Sequence, residues 1–204
     1  FLDRFRGFLL VHFLVCSLGY GMIPAVISVV CGKYESGSAS LLMWSTVLVC
    51  FFDPIARGLT YYYASHRYVF ATDKWCEKCL LWCIAMGADR KQCVVRVVFL
   101  RFGVLAILWG VSAFLVLLPL ALPSSSSFFS DSAIGAVPAT AYVVFMSVFS
   151  YTVTCHFLYI HAEMQKMHAS PEFNSRAYSW VGFITQCGSV AGTLVAFLVV
   201  IFAP

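Results

Sequence analysis

Five stretches of this chain stay apolar for about 20 residues or more, with charged and small polar residues crowded between them. They run from Phe8 to Cys31, Leu41 to Tyr63, Phe102 to Leu122, Ala136 to Tyr159 and Trp180 to Ala203. Each is long enough for a helix to cross a hydrocarbon core of ~30 Å. The pattern predicts an all-α protein, a polytopic transmembrane helical bundle of about five spans filling residues 1–204. A cytoplasmic connector, residues 64–101, separates the second span from the third. Its short apolar piece around Leu80 to Met86 cannot span. Flanked by Trp75, Trp82, Lys78 and Arg90, it reads as an amphipathic helix lying along the interface.

Composition excludes the soluble alternative. Hydrophobic residues are 61% of 204 and charged residues 11%, with a mean hydropathy of +0.88. A soluble domain carries about 25% charged residues, so a water-facing surface could not be covered here. No basic face with interleaved aromatics marks a nucleic-acid partner. The chain opens at Phe1 and closes at Ala203-Pro204 on an apolar run, and is expected to be part of something longer.

Charge sets the expected orientation. Arg4 and Arg6 precede the first span. Arg67, Lys74, Lys78, Arg90, Lys91, Arg96 and Arg101 fill the connector, and Lys166 and Arg176 separate the last two spans. The loops on the other side hold Lys33 alone, with Ser124 to Ser127 and Asp131. Cytoplasmic loops are the ones enriched in Lys and Arg. The N-terminus of the chain is therefore expected in the cytoplasm and the C-terminus outside the cell.

The residues with most to say are Asp53 and Arg57, in FFDPIARGLT. Both lie deep in the second span, four residues apart on one helical face. An ionisable side chain at the centre of a membrane helix costs ~2.5–3.5 kcal/mol on insertion scales. Such a pair lines a water-filled or protein-lined cavity, or locks two helices together. Pro54 removes a backbone donor and predicts a kink beside them. A broken helix with midplane charge is what transporter cavities are built from.

Gln186 is a long polar side chain inside the last span that must find a hydrogen-bond partner, either a substrate or a neighbouring helix. Gly188 and Gly192 in the same span form a G-x-x-x-G, which lets helices approach closely. In the first span Gly19, Gly21 and Pro24 mark a flexible break suited to a hinge. The fourth span carries a polar stripe of Pro138, Ser147, Ser150, Tyr151, Thr152 and Thr154. It faces a pore or bonds back to its own carbonyls. Tyr151 is the candidate substrate contact among them.

Other chemistry is not expected. Cys16, Cys50, Cys155 and Cys187 lie in apolar runs and read as small hydrophobes, with Cys31 at the outer face. Cys76, Cys79, Cys83 and Cys93 lack the second pair that a zinc site needs, so no metal or cofactor is expected. His156, His161 and His168 read as surface groups near the cytoplasmic end of the fourth span. No phosphate loop, H-E-x-x-H or nucleophile elbow points to an enzyme.

Several stretches together resemble the C-terminal half of eukaryotic riboflavin transporters. They are LGYGMIPAVISVVCGKY, FFDPIA, SYTVTCHFLYIHAEM and QCGSVAGTLVAF, in order across four of the five spans. That family carries Asn-Pro where this chain has Asp53-Pro54. A second resemblance is to equilibrative nucleoside transporters. Phe52, Asp53, Arg57, Leu59 and Thr60 fall at the spacing of that family's eighth helix, and the last helix has similar glycine spacing. Either resemblance implies a major-facilitator-like C-terminal half of an eleven-span carrier in the cell membrane. Such a carrier works by alternating access beside an N-terminal bundle of about six helices. The implied solute is riboflavin first and a nucleoside second, with Asp53, Arg57, Gln186 and Tyr151 as candidate contacts. A receptor or scaffold that transports nothing stays open.

Overall fold

A computed structural model describes residues 2–34, 38–65, 105–122, 132–167 and 170–202, and all its regular structure is helical. The first span is built from α1 (Leu2–Cys16), a π-helical segment (Ser17–Met22) and α2 (Ile23–Gly32). Then come α3 (Ser38–Ser65), α4 (Leu105–Ala121), α5 (Ser132–Lys166) and α6 (Pro171–Phe202). Four apolar helices are long enough to cross a membrane: Arg6–Gly32, Ala39–Tyr62, Ile134–Ala162 and Pro171–Phe202. The described part of the expected third span, Leu105–Ala121, is shorter and closes in a 3-10 turn. Residues 64–65 of the expected connector continue α3; the rest of it with its cysteines, the Ser124 to Ser127 loop and His168 lie outside the described residues.

Local chemistry explains where these helices start and why prolines do not stop them. The Oγ of Ser170 accepts from the backbone N–H of Phe173 at 3.3 Å. Pro171 then opens α6 and Glu172 lies in its first turn. A hydroxyl cap, a first-turn proline and an acid are the preferred start of a helix. The helix therefore begins before the apolar run at Trp180 and carries a polar first turn beyond the expected span. Pro24 lies just after the π-helical segment, inside a continuous helical span that it does not end. Pro54 and Pro138 lie inside α3 and α5 without ending them.

The core lies between the first span and α5. Ile23, Val26 and Val30 are wholly buried on α2, Phe145 and Phe149 are buried on α5, and Val116 joins them from α4. The Trp109 indole stacks on Phe145 with centroids 5.2 Å apart. A second, smaller cluster of Leu9, Ile160, Met164, Ala177 and Val181 ties α1, α5 and α6 at the other end. Lys33 joins the turn after α2 to α4. Its Nζ donates to the carbonyls of Pro119 (3.2 Å), Leu120 (3.4 Å) and Leu122 (3.0 Å). Helix C-termini leave carbonyls without intrahelical partners, and this ammonium covers those of Leu120 and Leu122 and shares that of Pro119 with the Leu122 N–H.

Glycines decide how close α6 comes to the first span. A Cβ on Gly192 would collide with the carbonyl of Ser17, and one on Gly188 would lie 2.7 Å from the carbonyl oxygen of Phe13. From the other side, a Cβ on Gly21 would lie 2.7 Å from Cα of Gly192. The two backbones are in direct contact. With lipid as apolar as the side chains, such close packing is what holds membrane helices together.

Candidate functional site

Asp53 and Arg57 lie on α3 where it faces α5 and the π-helical segment. Arg57 donates through Nε to Oδ2 of Asp53 at 2.9 Å and through Nη2 to Oδ1 at 3.3 Å. This two-pronged pairing fixes the guanidinium plane as well as neutralising the charge. Ser150 on α5 donates its hydroxyl to Oδ1 of Asp53. Arg57 Nη2 also donates to the hydroxyl of Tyr20 at 3.4 Å. The Tyr20 ring stands edge-on to Phe149, with centroids 4.7 Å apart. Three helical elements thus meet at one ion pair.

Ser150 differs from the other hydroxyls of α5. Ser147 donates to the carbonyl of Val143, Thr152 to Val148 and Thr154 to Ser150, each at 2.8 Å. The polar stripe of this span therefore bonds back to its own helix, as short hydroxyls can. Ser150 alone of the four turns outward to a charged partner.

The π-helical segment sets the other wall. A Cβ on Gly19 would collide with the Phe149 ring, which packs directly on that backbone. Tyr20 follows with its ring edge-on to Phe149 and its hydroxyl at Arg57. Single π turns inside α-helices recur at functional sites because they re-aim side chains. The flexible break expected from Gly19, Gly21 and Pro24 is in the structure a packed π turn.

The ion pair is not sealed. Side-chain exposure is 31% for Asp53 and 40% for Arg57. Along the same helix Phe51, Phe52, Ile55 and Leu59 are exposed as well. At about 100° per residue these apolar side chains lie on the far side of α3 from the ion pair, so Asp53 and Arg57 are open at the edge of the contact with α5 and not on the apolar outer face.

The remaining expected residues lie elsewhere. Tyr151 is half-buried on α5 and Gln186 is exposed on α6; neither is among the described partners of Asp53 or Arg57. Gly21, Gly188 and Gly192 are in the contact between the first span and α6. Pro54 is exposed beside Asp53. Sequence reasoning missed Tyr20 and singled out Ser150 only as part of a stripe. Nothing in the chain pattern tells which of several hydroxyls faces a helix far away in sequence.

It also missed His12, which is wholly buried. His12 Nδ1 lies 3.1 Å from Nδ1 of His156, and its Nε2 lies 2.9 Å from the Thr185 hydroxyl. His156 was expected at the surface; it is half-buried against α1 because its ring has a partner there. His161 is exposed as expected and pairs with Tyr178 at 2.8 Å.

Comparison with family models, with curated proteins and with solved structures gave no match.

Proposed function

We propose that this chain belongs to an alternating-access carrier for a neutral, flat heterocycle bearing hydroxyls. The observation that carries the proposal is the half-exposed Asp53–Arg57 pair in the middle of an apolar helix. A charge pair facing lipid at that depth would be costly, so membrane helices keep such groups toward a water-filled or protein-lined interior. The open edge of the ion pair, beside α5 and Tyr20, is therefore the side on which a second bundle and the solute would sit. Carboxylate, guanidinium, serine and tyrosine groups beside Phe149 match what such a solute needs: hydrogen bonds for its hydroxyls and an aromatic edge for its ring. The Lys and Arg bias puts the chain's N-terminus in the cytoplasm and its C-terminus outside the cell membrane.

A nucleoside and riboflavin share these features, and one observation favours the nucleoside. The groups that meet at the site, Asp53 and Arg57, are those with nucleoside-transporter spacing. Gln186, which opens the run that resembles riboflavin transporters, is exposed and outside the ion-pair network. Uptake of labelled uridine and labelled riboflavin, compared in cells expressing the complete protein, decides between them. Uridine uptake competed by other nucleosides is the expected result. Riboflavin uptake alone would reverse the choice of solute. Uptake of neither, with the protein at the cell surface, would favour a receptor or scaffold.

A further inference from the structure

A second polar centre lies within the bundle, apart from the ion pair. His12 on α1, His156 on α5 and Thr185 on α6 form a chain of hydrogen bonds, with the Cys16 thiol 3.6 Å from His12 Nε2. The rings of Phe8 and Phe157 wall it, at centroid distances of 4.9 Å from His156 and 5.8 Å from His12. Among the described residues, no carboxylate, lysine or arginine bonds either imidazole. The titratable groups facing the pair are Cys16 from α1 and the partner imidazole across the contact; α6 presents only the Thr185 hydroxyl. Tyr159 on α5 is one ring further away, packed on Phe8.

The Thr185 hydroxyl assigns one tautomer to the chain, in which the Cys16 thiol beside His12 Nε2 accepts and does not donate. The Thr185 hydroxyl donates to the Val181 carbonyl at 2.9 Å, so toward His12 it accepts. His12 Nε2 therefore carries a hydrogen, and in a neutral imidazole the other nitrogen is then bare. At 3.1 Å, His12 Nδ1 must receive a hydrogen from His156 Nδ1. That leaves Nε2 of His156 as the free acceptor, on the half-exposed ring of the two.

One added proton fits this arrangement and a second does not. A proton taken from solution onto His156 Nε2 makes an imidazolium whose Nδ1–H still points at a lone pair, now as a charge-assisted bond. A second proton on His12 Nδ1 would set two N–H groups head to head and separate α1 from α5. The first span and α5 also reach the ion pair of α3, through Tyr20 and Ser150. His12 and Tyr20 are eight residues apart, about 12 Å along the first span, and Ser150 and His156 are six apart, about 9 Å along α5. Resting on the carrier reading above, we propose that His12 and His156 form a single-proton site, loaded at His156 Nε2, that couples proton binding to solute movement.

Two measurements on the complete protein test it. The first is solute uptake at about pH 4.5 and 7.5, with and without a protonophore, the lower value being set by the burial of both rings. Wild type should change about threefold or more across that range and lose the difference with the protonophore. His156→Asn keeps an amide donor near the Nδ1 position and offers no proton acceptor. Its uptake should persist with a flat pH profile. A His156→Asn protein that keeps the wild-type profile overturns the proposal, because a purely structural contact would behave that way.

The second measurement does not depend on the solute. Nitrogen NMR of histidine-labelled protein in nanodiscs, assigned with His156→Asn, should show one of the pair's two bare nitrogens gaining a proton as the pH falls from about 7.5 to 3.5, since burial disfavours the charged imidazole. Titration of both, or of neither, overturns the single-proton site. If no solute is transported at all, the carrier reading fails while this titration still decides the proton site.

Discussion

The hydroxyl of Ser150 donates to the same carboxylate oxygen of Asp53 that receives Nη2 of Arg57. One atom thus joins α3 to α5 and holds the guanidinium at the same time. Ser150→Ala should leave the ion pair formed but release it from α5. Interhelical hydrogen bonds in membranes are worth about 0.6 kcal/mol on average and up to about 1.7. A thermal shift of that modest size is expected in detergent. Uptake by the full-length protein should fall more than stability does, because the loss is at the site.

Arg57→Lys keeps the charge and removes the planar fork. An ammonium cannot satisfy both Asp53 oxygens and Tyr20 in one geometry. Uptake should fall about tenfold or more, with the protein still at the membrane, corresponding to about 1.4 kcal/mol. Asp53→Asn should be worse, since it strands a partly buried guanidinium without its counter-charge. Wild-type uptake by both variants would remove the ion pair from the site.

Glycines separate into two groups that predict opposite results. Gly192 and Gly21 touch backbone of the opposing helix, whereas a Cβ at Gly58 or Gly182 meets nothing within 4 Å. Gly192→Ala should destabilise by about 1–3 kcal/mol through overpacking. Gly58→Ala should be neutral or stabilising, by up to about 1 kcal/mol, since alanine is the better helix former. Melting curves of the four alanine variants of the complete protein would show the split.

Lys33→Met should uncover the carbonyls of Leu120 and Leu122 and leave that of Pro119 with the Leu122 N–H alone. Hydrogen exchange should then rise at the end of α4 and not in α5. Lys33→Arg should keep most of the protection, since its fork can still reach several carbonyls. Equal exchange in all three proteins would show that Lys33 adds nothing to the end of α4.

How far the sequence could be read follows from what kind of information each feature carries. The all-helical class and four of the spans were legible because twenty-residue apolar runs leave few alternatives. The Asp53–Arg57 pair was legible for a similar reason: it is local, four residues apart in an apolar field. What could not be read is contact at long range. Ser150 and Thr152 look alike in sequence, yet one reaches 97 residues back to Asp53 and the other bonds its own helix. His12 meets His156 across 144 residues. A single histidine in an apolar run gives no hint of a second. Helix ends were misjudged where hydropathy stops before the helix does, as at Pro171.

The π-helical segment has a consequence for the whole of the first span. A helix advances about 100° per residue, and a π turn accommodates one residue more than the α-helical count. The residues before Ser17 and those after Met22 therefore follow two helical wheels set apart by about that angle. His12 meets α5 and α6 on one wheel, while Val26 and Val30 meet the core on the other. Removing a single residue between Ser17 and Met22 would merge the wheels and swing one half off its partners. Those six residues act as the phase-setter of the span, and a substitution scan along it makes sense only when each half is plotted on its own axis.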